Sequence, residues 1–235
     1  MSKRAIILAG GRGTRLRPYT VVLPKPLMPI GDYPILEVII RQLVKAKFEH
    51  VTLAVNHQAD IIKAYFKNGE TWGIKIDYSL ETEPLGTMGP LRLINDLPKN
   101  FLVMNGDVLT NLDFCKFYEE HIKHDRIFTI SSKIREQKID YGVLNFDDQK
   151  KLNGFTEKPT TSFNVSMGVY MCSKEAIEYI PSDGAFGFDS LMLKLIEHDK
   201  EIKVQPFEGY WLDIGRPDDY AQAIDKFSNM SNQFI

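Results

Sequence analysis

Lys3-Arg4-Ala5-Ile6-Ile7-Leu8-Ala9 runs without interruption into Gly10-Gly11-Arg12-Gly13-Thr14-Arg15-Leu16. The first half reads as a short buried strand. The second places three glycines in four positions, so the backbone can turn tightly and bring its N–H groups against a ligand with no Cβ in the way. Two cations follow, Arg15 and then Lys25 within Leu23-Pro24-Lys25-Pro26. Backbone donors, a guanidinium and an ammonium together suit a triphosphate, whose multiple negative charges must be held in place for attack. The loop thus points to a ligand class and to the end of the ligand that is gripped.

Two familiar phosphate loops do not fit. A P-loop needs Gly-Lys-Ser/Thr at the start of a helix, and none is present. The dinucleotide fingerprint G-x-G-x-x-G is begun by Gly11-Arg12-Gly13 but meets Leu16 where its third glycine belongs. That gap, with the density of cations, disfavours a hydride-transferring dinucleotide enzyme. By itself the stretch is also compatible with a tight strand-to-helix turn carrying solvated arginines.

Outward from this loop, short apolar runs alternate with amphipathic stretches, the pattern of a mostly parallel sheet covered by helices. Strands are expected at 5–8, 51–55, 74–78, 101–105, 127–131, 143–146, 168–171 and 202–206, and helices at 35–45, 58–66, 88–94, 112–124, 174–179, 190–198 and 217–229. In the first helix Ile35, Leu36, Ile39, Ile40 and Leu43 recur at helical spacing and should face the sheet. No repeat, low-complexity tract or Gly/Ser linker divides the chain, so residues 1–235 are read as one α/β domain, with a small additional sheet in the second half.

Bulk properties narrow the function classes. The 235 residues are enough for a large core, and 43% hydrophobic with 26% charged residues is ordinary for a soluble globular protein. A net charge of −2 gives no reason to expect nucleic acid. Cys115 and Cys172 lack metal-ligand spacing and read as free thiols of a reducing cytoplasm. The basic start Met1-Ser2-Lys3-Arg4 leads into an apolar run that breaks at Gly10, too early for a signal peptide. No segment approaches the roughly 20 apolar residues of a membrane span.

Two aspartates stand out. Asp107 closes the apolar strand Phe101-Leu102-Val103-Met104-Asn105-Gly106, and ligands of open α/β sheets collect at the carboxyl ends of strands. It reads equally as a turn or N-cap aspartate. Asp213 sits between apolar neighbours in Gly209-Tyr210-Trp211-Leu212-Asp213-Ile214-Gly215, where an unpaired charge is costly. Its partner is either a cation such as Arg216 or a metal, and hard oxygen donors suit Mg²⁺. Asn56 and His57, after the 51–55 strand, could approach a nucleotide or be plain loop residues.

The string Leu8-Ala9-Gly10-Gly11-Arg12-Gly13-Thr14-Arg15-Leu16-Arg17-Pro18, followed by Pro24-Lys25-Pro26-Leu27, closely resembles the N-terminus of the sugar-phosphate nucleotidyltransferases. Leu80-Glu81-Thr82-Glu83-Pro84-Leu85-Gly86-Thr87-Met88-Gly89-Pro90 resembles the E-P-L-G-T-A-G-P segment of their mannose-1-phosphate guanylyltransferase-like members. As sequence it is a strand–turn–helix junction in which Thr87 can cap the helix starting near Met88.

The resemblance, which covers nearly the whole chain, implies a Rossmann-like nucleotidyltransferase fold and a reaction that makes an NDP-sugar and pyrophosphate from an NTP and a sugar 1-phosphate. It implies Leu8, Gly10, Gly11, Gly13, Thr14, Glu83, Gly86 and Asn105 as nucleotide-binding, Arg15 and Lys25 as catalytic, and Asp107 with Asp213 as the pair that holds Mg²⁺. Asp140-Tyr141-Gly142-Val143 and Phe155-Thr156-Glu157-Lys158-Pro159, otherwise a turn and a solvated loop, match its Y-G and E-K-P segments. Gly142, Glu157 and Lys158 would then bind the sugar phosphate.

Ser166 stands in Ser166-Met167-Gly168-Val169-Tyr170 where the family usually has asparagine facing the sugar. The motifs lean towards GTP and, with it, mannose 1-phosphate or a related hexose or heptose phosphate. UTP, CTP or dTTP with a glucose or amino-sugar 1-phosphate is the alternative, and a non-catalytic nucleotide-sugar sensor is the reading from another class. Homodimers are common in the family, though no sequence patch marks an interface. The match leaves no room for the C-terminal modules that many members carry.

Overall fold

Alternation along β1 (Arg4–Leu8) sets the architecture: Ala5 and Ile7 enter one apolar layer and Ile6 the other, as the two-residue period of a strand requires. The computed structural model describes residues 2–56 and 58–234, so the expectation for His57 lies outside the described residues. After β1 come a small ribbon of β2 (Pro29–Ile30) and β3 (Tyr33–Pro34), then α1 (Ile35–Lys45), β4 (His50–Val55), α2 (Ala59–Phe66) and β5 (Lys75–Leu80). The middle of the chain forms β6 (Asn100–Asn105), β7 (Val108–Thr110), α3 (Phe114–Lys123) and β8 (Phe128–Lys138). It ends with β9 (Val143–Phe146), β10 (Leu152–Thr156), β11 (Thr160–Ser173), α4 (Phe188–Glu197), β12 (Ile202–Pro206), β13 (Trp211–Asp213) and α5 (Pro217–Phe234).

Seven strands make the central sheet in the order β12-β8-β11-β6-β1-β4-β5. Only β11 runs against its neighbours; the other pairings are parallel. From β1 the chain moves outward through β4 and β5, then returns to lay β6 on the other side. The order therefore reverses between β1 and β6, and a ligand crevice is expected outside their carboxyl ends. α1 has the expected bounds and buries Leu36, Ile39, Ile40 and Leu43, each such burial contributing about 1.5–3 kcal/mol. No helix among the described residues is long and apolar enough to cross a membrane.

Three expectations are corrected. Residues 88–94 form a short 3-10 turn, Gly89–Leu93, because Pro90 offers no N–H and Gly89 is a poor helix former. Thr87 does not cap it, since the N–H groups of Met88 and Gly89 already donate to the Phe186 carbonyl (2.9 and 3.1 Å). The 174–179 segment is likewise 3-10 rather than α.

The strands expected at 127–131 and 168–171 prove to be the core ends of β8 and β11, which run on together as an exposed arm. The chain between them carries the β9–β10 hairpin, which is the small additional sheet.

Two buried polar groups steady the sheet away from its crevice. Arg4, 4% exposed, donates to Thr52 Oγ1 (3.0 and 2.7 Å) and pairs with Asp96 (2.9 Å) and Asp77 (3.6 Å). His121, fully buried on α3, lies between Thr129 Oγ1 (2.8 Å) and Asn100 Oδ1 (3.3 Å). Burial, reinforced by the nearby Arg126 charge, lowers its pKa from 6.5 to about 4.

The unfolded chain takes up this proton as pH falls through the ordinary value, and the folded chain only near the depressed one. Stabilisation by the neutral ring is thus complete above the ordinary value and is lost as pH falls towards the depressed value, by about 3 kcal/mol. Urea unfolding between about pH 7 and pH 4 should show this loss in the native protein, and His121→Gln should lose correspondingly less.

Candidate active site

Leu8 at the end of β1 pairs with Asn105 at the end of β6, and the segments beyond them open a cavity of about 580 Å³. Gly10, Gly11 and Arg12 line it after β1, and Asn105 and Asp107 after β6. Glu81, Leu85 and Gly86 line it after β5. The cavity lies where the reversal of strand order predicts it.

Local hydrogen bonds fix the loop. The Ala9 N–H donates to the Ala54 carbonyl (2.8 Å) and the Gly106 N–H to the Leu8 carbonyl (2.9 Å), tying three strand ends together. Gly13 adopts φ 58°, and a Cβ there would come within 2.9 Å of Thr20 Cγ2. Thr20 Oγ1 donates to the Gly13 carbonyl (2.7 Å). The chain then enters a 3-10 turn, Thr14–Leu16, that buries Leu16 in the core and leaves Thr14 and Arg15 exposed.

β7 and β13 pair antiparallel with Asp213 opposite Val108, and the Ile214 N–H donates to the Asp107 carbonyl (3.0 Å). This ribbon sets Asp107 and Asp213 on adjacent strands although they are far apart in the chain. Asp107 Oδ2 pairs with the Lys25 ammonium, whose side chain is 10% exposed. Asp107 Oδ1 is buried and accepts no hydrogen bond among the described residues. α3 is capped by Asp113, whose side chain accepts from Lys116 N, so Asp107 is not an N-cap.

The Asp213 carboxyl is raised above its ordinary pKa by burial and then by the Asp107 charge, against the lowering pull of Lys25 and Arg15. A Cβ on Gly215 would stand 3.5 Å from both Arg15 Nη2 and Asp213 Oδ2, so guanidinium and carboxylate flank that glycine. No Asp213–Arg216 ion pair occurs among the described residues. The result is a compact set of two cations and two carboxylates at the sheet's switch point.

An orphaned carboxylate oxygen beside a second carboxylate is a donor set that fits a hard divalent cation sharing its remaining positions with water and phosphate oxygens. No group of three or more His, Cys, Asp or Glu suited to a metal occurs among the described residues.

The segment after β5 is fastened to a distant loop. The Phe186 N–H donates to the Leu85 carbonyl (2.8 Å), and Gly86 (φ 77°) lies so close that a Cβ would meet the Phe186 carbonyl oxygen at 2.7 Å. Glu83 is exposed and does not line the cavity. Glu81, absent from the sequence-derived site, is 8% exposed and lines it. Its signal was available: it lies three residues past the strand expected at 74–78, and ligands gather at the carboxyl ends of such strands.

The acceptor-side residues fall into two groups. Gly142 and Glu157 meet at the base of the β9–β10 hairpin, where a Cβ on Gly142 would reach Phe155 Cε2 at 2.6 Å and Glu157 Oε2 at 3.1 Å. Lys158, next to Glu157, is exposed with φ 43°. Ser166 lies where β11 bulges, its Oγ donating to Tyr170 Oη (3.0 Å) and accepting from the Gly168 N–H (3.2 Å). Gly168 (φ 71°) packs on Asn105, whose Nδ2 would be 2.6 Å from a Cβ, so the bulge joins the arm to the cavity rim. Neither group lines the cavity itself.

Residues 4–229 match the family described as Nucleotidyl transferase. The chain is 34% identical to the UTP–glucose-1-phosphate uridylyltransferase of Synechocystis and to the mannose-1-phosphate guanylyltransferase catalytic subunit beta of Drosophila pseudoobscura pseudoobscura, each over 94% of its own length. It spans 62% and 61% of those two relatives. The D-glycero-alpha-D-manno-heptose 1-phosphate guanylyltransferase of Campylobacter jejuni is 36% identical over 94% of this chain and 98% of that protein. Among solved structures, HddC from Yersinia pseudotuberculosis complexed with GMP-PN gives a TM-score of 0.70 at 30% identity, covering 96% of this chain and 99% of that one.

Proposed function

The chain belongs to the nucleotidyl transferase family, and on that premise we propose that it transfers a nucleoside monophosphate from an NTP to a sugar 1-phosphate, releasing pyrophosphate. GTP is the favoured donor, and mannose 1-phosphate or a related hexose or heptose phosphate the favoured acceptor. The observation that carries this reading is a cavity lined by Gly10, Gly11 and Asp107, with Lys25 paired to Asp107 and the Asp213 carboxyl within the fields of Asp107, Lys25 and Arg15. The guanylyltransferase relative matched over almost its full length supports the donor; the uridylyltransferase relative keeps UTP as the second reading.

In this reaction a phosphate oxygen of the sugar 1-phosphate attacks the α-phosphorus in line. The α–β bridging P–O bond breaks and pyrophosphate leaves with the electron pair. A phosphomonoester is already a competent nucleophile near neutral pH, so the chain's task is positioning and charge neutralisation. Gly10, Gly11 and Gly13 would cradle the triphosphate, Arg15 the leaving pyrophosphate, and Lys25 the α-phosphate. Lys158 would hold the acceptor phosphate. Asp107 and Asp213 would hold Mg²⁺, which when bound supplies positive charge to phosphate oxygens. Cys115 and Cys172 are both free thiols, which suits a reducing cytoplasm.

Pyrophosphate release should be measured with Mg²⁺ while the common NTPs are crossed against a panel of sugar 1-phosphates. Release is expected only when one donor and one acceptor are present together. Nucleotide binding without release across the panel would overturn the transferase in favour of a nucleotide-sugar sensor.

A further inference from the structure

Between β5 and the 3-10 turn at Gly89–Leu93 the chain forms no helix or strand, yet Leu85, Gly86 and Thr87 of this stretch line the cavity. Its backbone is pinned by Phe186 of a second loop, which gives its N–H to the Leu85 carbonyl and accepts those of Met88 and Gly89. At Gly86 backbone rests on backbone: a Cβ there would stand 2.7 Å from the Phe186 carbonyl oxygen. No flexible side chain lies between the two to absorb a shift, so a displacement of Phe186 passes directly to the cavity wall.

Phe186 itself lies in residues 181–187, which also form no helix or strand. Arg92, partly buried on the 3-10 turn, reaches across to this loop. Its Nη1 donates to the carbonyls of Pro181 (3.0 Å) and Gly184 (2.9 Å). The guanidinium is always charged, and a charged donor makes a hydrogen bond roughly twice as strong as a neutral one. Among the described residues it forms no ion pair that would draw it elsewhere. Cavity wall, turn, guanidinium, loop and Phe186 thus close into a ring, although Arg92 does not line the cavity.

The fold does not need this ring. Leu91 and Ile94 beside one loop, and Ile180 and Leu191 beside the other, are buried in the same apolar cluster, which fixes the elements flanking both. Apolar burial is non-directional and leaves open where residues 181–187 settle within that frame. The two directed hydrogen bonds from Arg92 choose the place.

We propose that Arg92 is a positioning residue for the donor nucleotide, acting through Phe186 to fix where Leu85 and Gly86 stand in the cavity wall. This rests on the reading that the cavity holds the NTP, with its triphosphate on the glycine loop and its nucleoside along that wall.

Equilibrium binding of GTP and of inorganic triphosphate to the whole protein, Arg92→Met and Arg92→Lys tests it, with thermal unfolding of each. Arg92→Met should weaken GTP about tenfold or more, the worth of hydrogen bonds from a charged group, and leave inorganic triphosphate within about twofold. Arg92→Lys, which keeps a charged donor, should recover part of the loss. Amide exchange at Met88, Gly89 and Phe186 should quicken in Arg92→Met while the central sheet is unchanged. In the native protein GTP, but not inorganic triphosphate, should slow exchange at those three amides. Absence of that slowing would overturn the assignment whether or not the variants fold. So would equal weakening of GTP and triphosphate, GTP affinity unchanged in a folded Arg92→Met, or no GTP binding at all. The expected affinities without pyrophosphate release in the turnover assay leave the assignment standing and remove the transferase. Turnover with a GTP affinity indifferent to residue 92 does the reverse.

Discussion

Lys25→Met is expected to lower turnover on the order of 10²–10³-fold, as loss of a preorganised charge does elsewhere. Methionine keeps much of the length and volume of the side chain, so the packing around residue 25 should survive. The ammonium is largely withdrawn from solvent, with a side-chain exposure of 10%, and its field acts through a medium less polarisable than water. Removing it has two effects that add. The triphosphate loses a cation, and Asp107 Oδ2 loses its ion-pair partner. Steady-state pyrophosphate release beside thermal unfolding separates a chemical loss from a folding loss. Lys25→Arg, which keeps the charge, should recover part of the rate. A folded methionine variant with near-normal turnover would remove Lys25 from the machinery.

Asp107→Asn and Asp213→Asn should each cost on the order of 10²–10³-fold in turnover, the several kcal/mol that a bound divalent cation contributes to charge stabilisation. The informative result is the double variant. If the two carboxylates act as one cation-binding unit, losing both costs little more than losing either. Independent roles would multiply the two losses. Titrating Mg²⁺ against turnover adds a second reading, since removing one ligand should move the half-saturating concentration upward. Half-saturation unchanged in both single variants would show that the pair does not hold the ion.

The two predictions differ in how visible their residues were in the sequence. Lys25 stands shortly after the glycine loop, and the strand–loop–cation order is local, so reading along the chain found it. The β7–β13 ribbon that joins Asp107 to Asp213 is three residues per strand and bridges remote segments. Strands that short carry no periodic signal, and neither was expected; each aspartate was singled out by its neighbours, and their pairing came only from resemblance.

α1 was legible to the residue because its apolar face repeats at the helical period. The 88–94 segment was not, because Gly89 and Pro90 set backbone hydrogen bonding there against apolar spacing. The arms of β8 and β11 escaped notice for a related reason: outside the sheet both faces are exposed, so alternation disappears. On the base side, attention went to Glu83 within a recognisable string. Glu81, at the strand's own end, was marked by topology rather than by motif.

Arg4 lies at the other end of β1 from all of this chemistry, buried and held by Thr52, Asp96 and Asp77. A five-residue central strand has little length with which to define its alignment, and a shift of one residue would exchange its side chains between the two apolar layers and carry the glycine loop about 3.3 Å along the strand axis. Arg4 makes such a shift expensive, because a slipped strand would drag a guanidinium off its carboxylates into an apolar layer. The placement of the loop from Gly10 to Gly13 is therefore secured from the opposite end of β1. The strand acts as a calibrated rod, clamped at one end so that its other end can be trusted.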